Sequence, residues 1–490
     1  MRRTILSLFI GGVAILMLGN AACKGPAAPH PEAAISITNV SIIDVVDGKV
    51  SEDMTIVVQG NVITRIGRGK ELKPPKHAKA IDAEGKYIIP GLWDMHAHTS
   101  SEPNTRKVLY PTFIANGITG IRVMSADCFD PCWELTLSIE QSRKIQQDVR
   151  EGTLLGPRAL LASTYIHGAK PGEPSTVRAP GTMQHGKELV QLLVDRGVDF
   201  IKIYDELPRE AYFGIAGEAQ RQGMPIAGHV PTAVKASEAS DAGQKSIEHC
   251  CEGNLFEECS TQEERLREQV TTLIQSREPK NMNQLVLELV KNYDEAKCQE
   301  VFRKFLENGT WFLPNLLAAE TDQTIRSEWR TDARLKYVPK SELKWWYEDE
   351  KGTREFYGPS YPEIRKKRFE IVQAMNKAGV NLLAGSDCGI YGVFYGSGLH
   401  DELALLVEAG LTELEALQTA TINAATYANR ADSLGVIEEG RLADFVLLEA
   451  NPLENIHHTQ RIFALMANGQ YFDRKSLDAV LEKVAREAAK

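Results

Sequence analysis

Short apolar segments that are rich in β-branched residues and end in polar residues recur along the chain, starting near residue 87. Stretches with helical periodicity, such as residues 187–195 and 209–222, separate them. Strands that alternate with helices predict an α/β fold of parallel strands joined by helical crossovers. Eight such segments predict a closed (β/α)8 barrel, with the functional side chains at the carboxyl ends of its strands. The segments span residues 87–98, 120–124, 159–166, 200–205, 225–230, 246–250, 311–316 and 382–387.

Period-two alternation marks both flanks of these segments, which predicts further strands near the two ends of the chain. We expect both ends to form one small β-sandwich, from residues 35–86 plus 435–475, beside a barrel spanning residues 87–434. The segment of residues 252–367 is longer than a crossover between two strands requires, and it is rich in charged residues and tryptophan. It therefore predicts a largely helical insertion near the barrel mouth. Residues 476–490 predict a C-terminal helix.

The composition is typical of a folded chain, and the length indicates more than one domain. The 490 residues are 43% hydrophobic and 25% charged, which excludes a long disordered protein or a fibre. Lys plus Arg is 56 and Asp plus Glu is 66, for a net charge of −10, so we expect no nucleic-acid partner. A doubly wound open sheet is the alternative to the TIM barrel, but no glycine-rich phosphate loop follows the first strand.

The N-terminus has the pattern of an export signal. Two arginines precede a short apolar run, and small residues follow up to Cys23, so residues 1–22 predict a signal peptide. An uncleaved membrane anchor is the alternative, but the run is shorter than a membrane span needs. Cys23 after two alanines resembles a bacterial lipoprotein cleavage site. We therefore expect an exported protein of a bacterium, periplasmic or on the outer membrane or cell surface, with possible lipid attachment through Cys23.

Cysteine usage fits an oxidising compartment. The chain has eight cysteines, and without Cys23 the remaining seven cannot all pair within one chain. Cys128 and Cys132 flank a short loop and predict a disulfide. A zinc knuckle is the alternative, but no second pair at knuckle spacing accompanies them.

Four of the eleven histidines lie at the carboxyl ends of predicted strands. His96 and His98 end the first strand and, being two residues apart, point to the same face. His229 ends the fifth strand, His249 the sixth and Asp387 the eighth. A hydrogen-bonded core histidine is the ordinary interpretation of any one of them, but five such groups in register with strand ends favour a metal site. Imidazoles with a carboxylate suit Zn²⁺ or a neighbouring first-row metal.

Lys202 ends the fourth strand between Ile201 and Ile203, so its amine is predicted to enter the same cavity. A bare ammonium would be repelled by metal ions there. A lysine carboxylated by carbon dioxide becomes an anion with two oxygens that can bridge two metals. A strand-end lysine that extends to solvent is the alternative.

These residues and the segments around them resemble the amidohydrolase superfamily, in its two-metal form with a carboxylated lysine. The tail, at residues 451–453 and 467–469, looks like the branch that contains Xaa-Pro dipeptidases and imidazolonepropionase-like proteins. The motifs that carry the resemblance lie at residues 90–98, 200–204, 228–230, 247–249, 385–387, 399–403, 407–412, 435–444, 451–453 and 467–469.

The resemblance implies a role for each residue. His96, His98 and Asp387 would hold one divalent metal, His229 and His249 the other, and carboxylated Lys202 would bridge them. Both metals are expected to be Zn²⁺. A hydroxide between the metals would be the nucleophile, and Asp387 would carry its proton to the leaving group.

The expected reaction is hydrolysis of a C–N amide or peptide bond in a small molecule, such as a dipeptide or an N-acyl amino acid. Ring deamination is less favoured, since related deaminases carry a glutamate where this chain has Thr232. The enzyme could instead open a ring, as a cyclic amidase or an imidazolone-type hydrolase does. An exported binding protein without catalytic activity is the hypothesis from a different class. The resemblance also implies a homo-oligomer.

Three further side chains are candidates for binding the substrate. His167 follows the third strand, Tyr204 lies two residues past Lys202, and His400 precedes an amphipathic helix. Asp94 and Glu248 lie close to the predicted ligands in sequence, and we expect them to serve the fold rather than the site.

Overall fold

The computed structural model describes residues 34–69, 71–129, 132, 135–169, 175–249, 254–276, 282–324, 327–357 and 362–490. The predicted signal peptide and Cys23 lie outside these residues. The strands are β1 (Ile35–Ile43), β2 (Val50–Gln59), β3 (Val62–Arg68), β4 (Lys79–Asp82), β5 (Tyr87–Pro90), β6 (Leu92–Ala97), β7 (Ile118–Val123), β8 (Arg158–Leu161), β9 (Ile201–Ile203), β10 (Ile226–Gly228), β11 (Ser246–Glu248), β12 (Trp311–Leu313), β13 (Phe445–Leu448), β14 (Ile462–Ala467) and β15 (Gln470–Asp473).

Strands from both ends of the chain form one mixed eight-stranded sheet. Its order is β15-β14-β13-β5-β1-β2-β3, with β4 beside β1. The two ends join where β13 pairs antiparallel with β5. Alternate residues of these strands, among them Ile37, Ile56 and Phe445, pack into a hydrophobic core of their own. Period-two alternation therefore correctly predicted strands at both ends.

The central strands are parallel and form a three-stranded sheet, β6-β7-β8, and a four-stranded sheet, β12-β11-β10-β9. Isolated parallel bridges link these sheets further. Ala162 pairs with Phe200, Phe312 with Leu382, and Ala97 with Cys388. The α/β class predicted from the alternation is confirmed, and neighbouring parallel strands end on the same side.

The first predicted strand, residues 87–98, is two strands in the structure. Gly91 separates β5, which joins the mixed sheet, from β6, which joins the parallel one. The Gly91 amide donates to the carbonyl of Asp444 in the segment leading to β13. A Cβ at Gly91 would lie 2.1 Å from the Thr119 Oγ1, so only glycine fits where the chain passes from one sheet to the other.

Helices connect and cover the parallel strands. They are Glu102–Asn104, Tyr110–Ala115, Ile139–Arg150, Met183–Arg196, Arg209–Gln222, Ala236–Asp241, Asn254–Glu258, Glu263–Ser276, Met282–Lys291, Glu295–Asn308, Leu316–Thr324, Lys340–Tyr357, Pro362–Ala378, Ser397–Glu408, Glu413–Thr419, Ile422–Tyr427 and Arg474–Ala488. A π-helical turn spans Thr105–Leu109, and 3-10 turns span Ser327–Thr331, Ala333–Tyr337 and Ile456–Gln460. In the sequence, the helices within residues 252–367 both precede and follow β12. Among the described helices, none combines the length and the apolar character that crossing a membrane requires.

Two disulfides are present among the described residues. Cys128–Cys132 is the predicted one, so the zinc-knuckle alternative is wrong for this pair. Cys259–Cys298 was not predicted, and it ties the chain after the helix Asn254–Glu258 to the helix Glu295–Asn308. Cys388, beside Asp387, is a buried free thiol.

Candidate active site

The carboxyl ends of the parallel strands bring the predicted metal ligands together. His96 lies within β6 and His98 just past it, while His249 directly follows β11. Asp387 follows the segment that the Phe312–Leu382 bridge holds beside β12. Its backbone amide donates to the His96 carbonyl at 2.8 Å, which fixes it against the end of β6.

Asp387 is the centre of this cluster. Its Oδ1 lies 3.0 Å from Nε2 of His98 and 3.3 Å from Nε2 of His96, and its Oδ2 lies 3.9 Å from Nδ1 of His249. Ligand atoms of His96, His249 and Asp387 all fall within 4.8 Å of one another, a spacing that could hold a metal ion. Two imidazoles and a carboxylate are donors that Zn²⁺ takes in proteins, so the residues fit such an ion.

His229 extends the cluster beside His249. Its ring centroid lies 4.7 Å from that of His249 and 4.4 Å from that of Tyr204. Its Nδ1 contacts Oδ1 of Asp205 at 2.9 Å, which leaves Nε2 for a ligand bond. Asp205 was not predicted from the sequence, although it is only three residues past Lys202.

Two of the proposed ligands have strained backbones. His249 and Asp387 adopt positive φ values of 65° and 60°, a region that costs free energy for residues other than glycine. Such conformations persist where the surroundings enforce them, and they often occur at functional sites.

Burial controls the charges of the cluster. It lowers the pKa of His249 to about 3, with a further contribution from nearby His229, and it lowers the pKa of His96 well below the usual range, aided by Lys202. Burial alone would raise the pKa of Asp387, but the hydrogen bond with His98 and the charges around it bring that pKa to about 2. His96 and His249 are therefore neutral and Asp387 is ionised, the protonation states that bind metal.

Lys202 is buried at the centre of β9, between two buried isoleucines. Its backbone amide donates to Oγ of Ser163 at 3.0 Å. Its side chain passes β10 closely, since a Cβ on Gly228 would lie 2.8 Å from Cδ of Lys202. Burial lowers the pKa of the Lys202 amine to about 8.

Glu248 has a role at the site that was not predicted from the sequence. Its Oε2 lies 3.2 Å from Nδ1 of His96, which orients the imidazole so that Nε2 faces Asp387. Both carboxylate oxygens of Glu248 also accept from the buried guanidinium of Arg122, at 2.8 and 2.7 Å. Arg122 in turn donates to Ser246 and Tyr427. The expectation that Glu248 serves only the fold is therefore corrected.

Asp94 ties the two ligand-bearing segments together. Its carboxylate accepts from the backbone amides of His96 and Ser386 and from the Ser386 hydroxyl. Burial raises its pKa to about 6. Asn315 makes a similar link from the end of β12. Its Oδ1 accepts from the His249 amide at 3.3 Å, and its Nδ2 donates to the Gly385 carbonyl at 2.9 Å.

Of the predicted substrate residues, Tyr204 lies at the cluster, beside His229, and is partly exposed. The predicted His167 is partly buried, and its Nδ1 bonds the Gly168 carbonyl at 2.6 Å. Tyr165, which was not predicted, has its hydroxyl 3.3 Å from Nδ1 of His98 and its ring 5.1 Å from that of Tyr204. A strand-end tyrosine carries no sequence signal that separates this position from ordinary packing.

The prediction that His400 binds substrate is corrected. Its side chain is buried, its Nδ1 bonds the Thr459 hydroxyl, and its Nε2 bonds the Asn116 carbonyl, both at 2.9 Å. Both ring nitrogens are therefore used to join the helix Ser397–Glu408 to neighbouring segments. The amphipathic pattern around His400 correctly indicated a helix but did not show which way the imidazole points.

Comparisons with known proteins agree with this geometry. Residues 87–471 match the model of the Amidohydrolase family. Ochratoxinase of Aspergillus niger is 23% identical over 486 residues, covering 88% of this chain and 84% of its own. The crystal structure of a Xaa-Pro dipeptidase with methionine bound in the active site has a TM-score of 0.63 and 21% identity, covering 90% of this chain and all of its own. Bottromycin amidohydrolase has a TM-score of 0.64 and 21% identity, covering 93% of this chain and 90% of its own.

The family match spans most of the chain. It includes every residue of the His–Asp cluster, which consists of His96, His98, His229, His249 and Asp387. The chain therefore belongs to the amidohydrolase family, and it is a hydrolase that acts on carbon–nitrogen bonds.

Proposed function

We propose that the protein is a metal-dependent hydrolase that cleaves the amide bond of a dipeptide or an N-acyl amino acid. The observation that carries this proposal is the cluster of His96, His249 and Asp387, whose ligand atoms lie within 4.8 Å of one another. The names of an ochratoxinase, a Xaa-Pro dipeptidase and a bottromycin amidohydrolase among the similar proteins support an amide substrate.

In this proposal the site holds two divalent metals, both Zn²⁺. His96, His98 and Asp387 would hold one and His229 and His249 the other, so the cluster of His96, His249 and Asp387 would contribute ligands to both. Carboxylated Lys202 would bridge the two metals. Bound metal ions would polarise the scissile carbonyl and make water a stronger nucleophile at neutral pH. Asp387 is ionised at neutral pH, the form in which its carboxylate would accept a proton and pass it to the leaving amine.

We also propose that Lys202 is carboxylated. Carbamate formation needs a neutral amine, and burial of Lys202 favours that form. Bicarbonate should therefore speed the recovery of metal by the apo-protein, and Lys202→Ala should lose the effect together with most activity. Partial rescue of Lys202→Ala by a short carboxylic acid would support a bridging carboxylate. A plain amine at Lys202 in a fully metallated, active crystal would refute it.

The finer fold proposal is that the parallel strands close into a (β/α)8 barrel, with a small β-sandwich beside it. The bridges Ala162–Phe200, Phe312–Leu382 and Ala97–Cys388 support the closure, since they connect successive segments in the order a barrel requires. The mixed sheet drawn from both chain ends supports the second unit.

The protein is further proposed to be exported, with lipid attachment at Cys23, and to form a homo-oligomer. The disulfides Cys128–Cys132 and Cys259–Cys298 support an oxidising compartment, because such bonds are rare in the cytosol. Fractionation of expressing cells, with mass spectrometry of the mature N-terminus, tests both the export and the lipid.

The activity is tested with zinc-reconstituted protein and a library of Xaa-Pro dipeptides, other dipeptides, N-acyl amino acids and cyclic amides. We expect turnover of a linear amide that a chelator abolishes and zinc restores. Asp387→Asn should slow it by at least about 10²-fold, because it removes the proton acceptor while keeping the side-chain shape. Turnover of cyclic amides alone would favour a ring opener, and binding without turnover would favour a non-catalytic protein.

A further inference from the structure

One helix touches two of the loops that follow proposed metal ligands, the loop after His98 and the loop after Asp387. The helix Lys340–Tyr357 belongs to the segment predicted as an insertion, far in sequence from His98 and Asp387. Its residues Glu342 and Trp346 are four apart and therefore lie on the same face of the helix. Both side chains are buried.

Glu342 contacts the loop after His98 and the segment after Asp387 at once. Its Oε1 accepts from Nδ2 of Asn104 at 3.4 Å, and a hydrogen bond from Ser100 adds to this contact. Its Oε2 accepts a short hydrogen bond from the buried hydroxyl of Tyr395. Ser100 lies two residues past His98, so Glu342 joins the continuations of two ligand-bearing strands.

Trp346 makes the second connection. Its indole Nε1 donates to the carbonyl of Gly389 at 3.0 Å, two residues past Asp387, and its ring packs against Phe394 at 5.6 Å between centroids. At Gly389 the chain passes close to the first loop. A Cβ there would lie 3.4 Å from Cβ of His98 and 3.1 Å from the Tyr395 hydroxyl. Gly389 has a positive φ of 111°, a backbone conformation that favours glycine.

We propose that Glu342 and Trp346 are positioning residues that hold the His98 loop and the Asp387 loop at the separation metal binding needs. The contact they protect is the 3.0 Å approach of His98 Nε2 to Asp387 Oδ1. The helix therefore contributes to the affinity for metal. This inference rests on the proposed function, since it needs His98 and Asp387 to share a metal.

The test uses the full chain, stripped of metal and titrated with Co²⁺ or Zn²⁺ against a competing chelator. Trp346→Phe removes the donor to Gly389 and keeps an aromatic ring. Trp345→Phe is the matched control, because it makes the same chemical change one position away. The Trp345 ring is partly buried and packs against the hydrophobic cluster that contains Trp346 and Phe394. Trp346→Phe should weaken metal binding by about 10- to 100-fold relative to this control, the usual effect of losing a group that orients metal ligands.

Two further readouts separate positioning from general destabilisation. The visible spectrum of the Co²⁺ form should change in Trp346→Phe and not in Trp345→Phe, because only the first alters the ligand geometry. The melting temperatures of the two metal-free variants show how much each change disturbs the fold alone. If Trp346→Phe does not fold, Tyr395→Phe takes its place, with Tyr110→Phe as its control. The buried Tyr110 hydroxyl accepts from the Gln146 side chain at 2.9 Å and lies outside both loops.

Equal metal affinities and equal spectra for variant and control would overturn the positioning role. Wild-type protein that binds no metal would instead overturn the proposed function itself, so the two failures are distinguishable. Weaker binding with an altered Co²⁺ spectrum in Trp346→Phe or Tyr395→Phe alone would establish the role.

Discussion

The two sides of the His–Asp cluster are built differently. On one side His96 is buried, its partner Glu248 is buried, and Glu248 is held in turn by the buried guanidinium of Arg122. On the other side His229 has the corresponding partner Asp205, whose side chain is 49% exposed. Each imidazole has a carboxylate on its Nδ1, but only one of those carboxylates is itself fixed by a further charged group.

The difference suggests that the two sides of the cluster have different roles. A buried carboxylate whose two oxygens both accept from one nitrogen of a buried guanidinium has one stable arrangement, because moving either group leaves a charge without a partner in a low-dielectric interior. An exposed carboxylate is stabilised by water in several positions, so His229 and nearby Tyr204 can adjust when a substrate enters. We expect the Glu248 side to fix the metal position and the Asp205 side to admit the substrate.

The largest effect is expected for Glu248→Gln. This change leaves Arg122 charged and buried without its counter-charge, which should lower the free energy of unfolding by about 3–5 kcal/mol. It also weakens the orientation of His96, so metal affinity should fall by about 10- to 100-fold. Denaturant unfolding of the metal-free protein and chelator competition measure the two effects.

A double variant separates the effect on stability from the effect on metal affinity. Glu248→Gln combined with Arg122→Met removes both charges and should recover much of the stability, since replacing a whole buried pair is often neutral. The metal affinity should stay low, because the carboxylate on Nδ1 of His96 is still missing. Wild-type stability and wild-type metal affinity in the single variant would show that the buried side is not rigid in the proposed way.

An effect that depends on pH is expected at Glu402. This buried carboxyl accepts from the amides of Leu316 and Leu317, and burial raises its pKa to about 8, against 4.5 for an ordinary glutamate. A raised pKa means that its contribution to stability is complete below about pH 4.5 and is lost as the pH rises through about 8. The free energy of unfolding should therefore decline over this range by about 1 kcal/mol per pH unit relative to Glu402→Gln.

Stability curves of the metal-free wild type and Glu402→Gln, measured between pH 5 and pH 8.5, test this. Parallel curves would mean that Glu402 is ionised throughout, stabilised by the two amides at the start of the helix Leu316–Thr324.

The smallest effect on stability is expected for Asp205→Asn. An ion pair with one half-exposed partner contributes about 0–1 kcal/mol, so unfolding should change by no more than that. Asp205→Asn should mainly change KM, because we expect the substrate to enter on the side of the cluster that holds Asp205. A loss of stability as large as that of Glu248→Gln would remove the distinction between the two sides.

The sequence predicted the groups whose position follows from strand periodicity. His96, His98, His229, His249 and Asp387 were identifiable because each ends a β-branched segment. Parallel strands bring such ends to one side. The α/β class and the strands at both chain ends followed from the same periodicity.

The missed residues depend on neighbours distant in sequence. Arg122, Glu248 and Asn315 act across strands, and nothing within their own segments shows which side chain they will meet. The Cys259–Cys298 disulfide likewise spans 39 residues, a separation that many pairings would satisfy. The direction of the His400 ring was set by Thr459 and Asn116, both distant along the chain. Periodicity locates an element, but contacts between elements decide what its polar side chains do.

Metal content measured together with activity tests the central claim most directly. Protein produced with added zinc and freed of loosely bound ions should contain about two metal equivalents per chain by elemental analysis, as a two-metal site requires. Its hydrolysis of a linear amide should fall as a chelator removes the metal and return when zinc is restored. Fully active protein with less than about one equivalent of metal per chain would contradict the account.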